Sequence, residues 1–139
     1  MKSNKVKAVW NGSLKEGNGN ITTHSVVLKN AKYDFNSRFG DGKSTNPDEL
    51  LAAAHAGCFA MMLSLILGEA GFIADSLEVT SVVTMDADKL ELTGSQLTLK
   101  ARIPNIGKDK FMECANAAKD NCPVSKALSF KITLDAELE

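Results

Sequence analysis

Asn46-Pro47-Asp48-Glu49-Leu50-Leu51-Ala52-Ala53-Ala54-His55-Ala56-Gly57-Cys58-Phe59-Ala60-Met61-Met62-Leu63-Ser64-Leu65-Ile66-Leu67 is the stretch that decides the fold. Leu50 to Leu67 contains no Asp, Glu, Lys or Arg, and only His55, Gly57 and Ser64 fall outside the apolar set. Asn46 has the character of an N-cap and Pro47 of a first helical residue. Asp48 and Glu49 follow in the first turn, where the helix dipole favours anions. Gly68 or Gly71 can end the helix. A helix apolar on every side is buried on every side. A chain of 139 residues can hardly cover such a helix alone, so a second subunit is expected against it. The length meets the minimum for a membrane span. Five alanines, His55, Gly57 and acidic flanks without lysine or arginine argue against that reading.

On either side the pattern is mostly strand-like. Val6, Ala8 and Trp10 alternate imperfectly; Gly17-Asn18-Gly19-Asn20 has turn composition; Ile21 to Leu28 reads as the returning strand. Residues 30–37 suggest a third short strand or a loop, and Arg38 to Asn46 a polar, glycine-rich loop. Leu77, Val79, Ser81, Val83 and Met85 alternate as a strand, with a turn at Asp86 to Lys89. Leu90 and Leu92 lie on even positions but Leu97, Leu99, Ala101 and Ile103 on odd ones, which predicts a bulge or loop near Gly94-Ser95. Lys108 to Asn121 is helical in period, with Phe111, Cys114 or Ala115, and Ala118 on one face. Cys122 before Pro123 marks a new short helix, and Ile132, Leu134, Ala136 and Leu138 define a last strand. The order β-β-β, long helix, β-β, helix, short helix, β predicts one α+β domain over 1–139.

Net charge is −1 from 16 basic and 17 acidic residues. That gives no electropositive face for nucleic acid or a membrane surface. Three cysteines and no secretory signal pattern fit a cytoplasmic protein, in which a disulfide is catalytic or redox-sensing rather than structural. By its neighbours alone, Cys58 sits on the stripe Leu51, Ala54, Cys58, Met62, Leu65 and reads first as a small buried hydrophobe. Cys122, at a helix start, reads as the more reactive thiol, because unsatisfied N–H groups favour the thiolate. Cys114 reads as packing. His55 shares nearly one face with Cys58 and reads as partly buried with one hydrogen bond. No third and fourth metal ligand accompany it at metal-like spacing, and His24 is isolated. Arg38 is either a solvated loop residue or a cation that stabilises a thiolate, held by Asp48 or Glu49.

Tyr33 to Phe39, then Gly42-Lys43-Ser44-Thr45-Asn46-Pro47-Asp48-Glu49-Leu50, then Ala54-His55-Ala56-Gly57-Cys58-Phe59, resemble the OsmC/Ohr family of hydroperoxide reductases. So do Leu67-Gly68-Glu69-Ala70-Gly71-Phe72, Cys122-Pro123-Val124-Ser125 and Ile132-Thr133-Leu134-Asp135. The match runs from Trp10 to the end and is closer to the OsmC branch. Asn121 departs from the glycine that usually precedes the second cysteine. The resemblance implies an intertwined homodimer with antiparallel sheets wrapped around long central helices. It implies a two-cysteine peroxidase for organic hydroperoxides, and less well hydrogen peroxide, active in oxidative and osmotic stress. No metal or haem is implied; an external dithiol reductant, such as a lipoyl protein, is. Cys58 would be the peroxidatic and Cys122 the resolving cysteine. Arg38 would activate, positioned by Glu49 or Asp48, which rank nearly equal. The rival reading is a thiol redox sensor or small-ligand module on the same fold.

Overall fold

A computed structural model describes all 139 residues. The chain divides into two compact units, Met1–Leu50 and Leu51–Glu139.

The first unit is a three-stranded antiparallel sheet followed by one short helix. β1 (Val6–Asn11), β2 (Asn18–Thr23) and β3 (Ala31–Tyr33) pair in chain order. The β1–β2 turn is residues 12–17, closed by Gly17 N–H to Ser13 carbonyl at 2.8 Å. Asn18, Gly19 and Asn20, expected in the turn, are therefore in β2. Gly19 is required there because a Cβ would lie 2.6 Å from the Tyr33 ring and 2.7 Å from the Trp10 ring. Those rings pack with centroids 5.5 Å apart. β2 stops at Thr23 rather than running to Leu28, because Thr23 Oγ1 and N–H turn to Leu28 and close a loop. Arg38, expected in a loop, lies on a helical turn, α1 (Phe35–Phe39). Asp34 caps it: its Oδ1 accepts from Ser37 N–H at 2.8 Å and Ser37 Oγ at 2.6 Å.

α2 (Pro47–Glu69) starts in the first unit and continues through the second. Its N-cap is the expected one: Asn46 Oδ1 accepts from Glu49 N–H at 2.9 Å. It ends at Gly71, which has φ +90°. Phe72 N–H bonds Leu67 carbonyl at 2.8 Å and Gly71 N–H bonds Gly68 carbonyl at 3.1 Å, the Schellman pattern that needs a left-handed residue.

In the second unit, β4 (Ser76–Asp86) and β5 (Glu91–Arg102) form an antiparallel hairpin, and β6 (Lys131–Leu138) lies parallel to β5. The expectation of antiparallel sheets therefore fails here, and this sheet is mixed. The physical reason is the connection: α3 (Lys108–Asn121) and α4 (Pro123–Ala127) carry the chain back, and only such a crossover permits parallel neighbours. The expected bulge is present, with Thr84 paired to Gly94 but Met85 to Leu92. One sheet face presents Leu97, Leu99 and Ala101 to Phe59, Leu63 and Leu67 of α2 and to Phe111, Cys114, Ala115 and Ala118 of α3. Each fully buried Leu or Phe stabilises by about 1.5–3 kcal/mol.

The buried stripe of α2 is His55, Phe59, Leu63, Leu67. This is one residue out of phase with the stripe read from the sequence. α2 is long and apolar enough to cross a membrane, yet only 22% of its apolar window is buried. Met61 and Leu65 remain 77% and 55% exposed.

Candidate active site

In the first unit, α1 and the start of α2 fix a guanidinium. Arg38 Nη2 lies 3.2 Å from Asp48 Oδ1 and Nε lies 3.4 Å from Oδ2, a two-point pair. The Arg38 guanidinium also covers the Phe39 ring at 5.6 Å. The geometry is held from beneath: Asn46 Nδ2 donates to the carbonyl of buried Ser37 at 2.8 Å, tying α1 to the cap of α2. The Ser37 hydroxyl and backbone N–H hold Asp34 below the usual carboxylate range. Of the two acidic candidates, Asp48 takes the arginine. Glu49 Oε2 instead accepts from Thr45 Oγ1 at 2.6 Å. A cavity of about 240 Å³ opens here, lined by Trp10, Leu14, Tyr33, Phe35, Phe39 and Arg38 among others.

In the second unit, α2 and α4 bring two thiols together. Cys58 is half-buried and Cys122 fully buried; both are free, as is buried Cys114. Burial pushes the Cys58 thiol up, its hydrogen bond with Cys122 adds to this, and the Val124 backbone N–H opposes it. That N–H belongs to the first turn of α4, where N–H groups have no partner within the helix, so the helix start expected to favour a thiolate on Cys122 acts on Cys58. Cys122 terminates α3 and precedes Pro123, which places its side chain inward at the junction of two helices. Cys114 belongs to the core cluster on α3, as expected.

His55 differs from expectation. It is fully buried and has two partners: Nδ1 is 2.7 Å from Ser95 Oγ and Nε2 is 2.8 Å from Ser125 Oγ. Ser95 Oγ continues to Ser81 Oγ at 2.9 Å. Both ring nitrogens are engaged by hydroxyls, so His55 has none left for a metal. Burial pushes its pKa below the ordinary value of 6.5, which leaves a neutral ring. Ser95 and Ser125 were not singled out from the sequence. The available signal was a polar residue at an inward position, on β5 for Ser95 and next to the Cys122-Pro123 helix start for Ser125.

The family model described as OsmC-like protein matches residues 40–137. Peroxiredoxin OsmC of Escherichia coli is 43% identical over 97% of this chain and 96% of its own. Among solved structures, organic hydroperoxide resistance protein OhrB of Bacillus subtilis aligns with a TM-score of 0.63 at 26% identity, over 97% of this chain and 98% of its own. An OsmC-like protein from Vibrio cholerae aligns with a TM-score of 0.76 at 11% identity, over 99% of this chain and 100% of its own. By family model and by full-length similarity, this chain belongs to the OsmC/Ohr family.

Proposed function

We propose that this protein is a cytoplasmic thiol-dependent peroxidase that reduces organic hydroperoxides, with Cys58 as the attacking and Cys122 as the resolving thiol. One observation carries the reading: the buried His55–Ser125 bond of 2.8 Å joins the turn of α2 that holds Cys58 to α4, at whose start Cys122 stands, and the shift of the Cys58 thiol by Cys122 agrees with it. The named activities of the relatives, peroxiredoxin and organic hydroperoxide resistance, support it.

The Cys58 thiolate attacks the distal peroxide oxygen. The O–O bond breaks, the alkoxide takes a proton and leaves as an alcohol, and Cys58 becomes a sulfenic acid. The Cys122 sulfur then displaces hydroxide from the Cys58 sulfur. The S–O bond breaks, the disulfide forms, and the Cys122 proton leaves with the hydroxide as water. A dithiol restores both thiols by exchange; a lipoyl protein is one partner of that chemistry.

Burial disfavours the thiolate that the first step needs, so a cation must compensate. Arg38 is the cation proposed, preorganised by Asp48 and Phe39. The aromatic cavity beside it suits an organic peroxide better than a small polar one. The exposed apolar residues of α2 support a homodimer in which a second copy covers that helix.

The test is peroxide consumption with dithiothreitol as reductant. Cys58→Ser should have no turnover. Cys122→Ser should react once and then stall or proceed to the sulfinic acid. Full turnover by Cys58→Ser would refute the assignment.

A further inference from the structure

Cys58 and Cys122 are not the only link between α2 and α4. His55 lies three residues before Cys58, and Ser125 three residues after Cys122. Their Nε2–Oγ contact of 2.8 Å is buried. The imidazole–hydroxyl pair thus joins the two elements at the same sequence spacing from each of the two thiols.

At its start α4 is held by α3, through the Cys122 N–H to Ala118 carbonyl bond of 3.0 Å. It is five residues long, and Ser125 is its only buried residue. A helix of this length has no stability of its own. His55, by contrast, is locked. Its second nitrogen is bound to buried Ser95 on β5, which is bound in turn to Ser81 on β4. Through the ring, α4 is therefore tethered to the sheet.

We propose that His55 and Ser125 are positioning residues for disulfide closure: their hydrogen bond holds α4 so that Cys122 faces Cys58 when the sulfenic acid forms. The proposal rests on the peroxidase reading above. Closure brings the two sulfurs to a bond of about 2.05 Å, and a misplacement of about 1 Å costs such a step up to about 100-fold. Both partners are buried and both ring nitrogens of His55 are already bonded, so attack by Cys58 on a peroxide arriving from solvent does not depend on the tether. What depends on it is the fate of the sulfenic acid, which either closes to the disulfide or meets a second peroxide and becomes sulfinic acid.

The experiment uses the full chain as wild type, Ser125→Ala, His55→Gln and Ser125→Thr. Reduced protein is mixed with cumene hydroperoxide, and three quantities are followed: loss of the first thiol, sulfenic acid trapped by dimedone, and disulfide by intact mass. In Ser125→Ala and His55→Gln, first-thiol loss should stay within about twofold of wild type while closure slows at least about tenfold. Trapped sulfenic acid should rise, and excess peroxide should yield more sulfinic acid. Ser125→Thr, which keeps the hydroxyl, should restore closure. Closure at the wild-type rate in both Ser125→Ala and His55→Gln overturns the tether. So does equal slowing of both steps, which marks a general structural defect. Failure of the wild type itself to form a Cys58–Cys122 disulfide refutes the peroxidase reading, and the tether with it.

Discussion

Cys58 poses the central problem at the scale of single residues, because its surroundings favour the thiol over the thiolate. Arg38 is therefore expected to control the first step. Arg38→Ala should slow single-turnover loss of the Cys58 thiol by about 100-fold, the usual effect of removing a preorganised electrostatic group. Its melting temperature should change little, since a partly exposed ion pair contributes about 0–1 kcal/mol. Asp48→Asn should slow the same step, whereas Glu49→Gln, bound only to Thr45, should not. Equal effects of the two carboxylate variants would contradict the pairing. A pH profile adds a second measure: in Arg38→Ala the rise of first-step rate with pH should move upward, towards the raised value that burial imposes on Cys58. His55 acts oppositely on stability. Its folded pKa is depressed, so its contribution is present above 6.5 and is lost as pH falls through the folded value, with a slope of at most about 1.4 kcal/mol per pH unit. Urea unfolding at pH 7.5 and below 6 should show this loss in the wild type and not in His55→Gln.

At the scale of elements, α2 is set by its ends. Asn46→Ala removes the cap to Glu49 N–H and the bond to Ser37 carbonyl and should cost about 1–2 kcal/mol. Gly71→Ala meets open space, so only the positive φ is penalised, by about 1 kcal/mol. Urea midpoints measure both, and a cost near zero for Gly71→Ala would deny the left-handed stop. These ends were legible in the sequence because Asn-Pro and Gly act locally, through caps and φ. The phase of α2 was not. A helix apolar all round carries no stripe, so the inward residues are His55, Phe59, Leu63 and Leu67 rather than the row containing Cys58. α1 escaped because five residues hold no period; its signal was Asp34 three residues before Ser37. The parallel sense of β6 was not legible either. Alternation is the same for a strand in either sense, and only the helical crossover over residues 103–130 distinguishes them. Among the residues proposed for the site, the cysteines and Arg38 stand in the family motifs of the sequence. The roles of Ser95 and Ser125 were not legible, because a hydroxyl acquires its role only from the buried ring it meets.

At the scale of the whole molecule, the exposed apolar surface of α2 is the feature that most needs a partner. A second copy is the proposed cover. Sedimentation should give twice the chain mass of 14.9 kDa, about 30 kDa. Met61→Glu with Leu65→Glu should shift the protein towards monomer, since a desolvated charge costs several kcal/mol at a dry interface. A wild-type monomer at micromolar concentration would contradict the dimer. The chemistry itself is tested most directly by adding one equivalent of cumene hydroperoxide to the fully reduced protein and mapping its thiols by mass. The account predicts the loss of two hydrogens, a single peptide cross-link between Cys58 and Cys122, and a free Cys114. A product with all three thiols intact, or with the cross-link on Cys114, would contradict it.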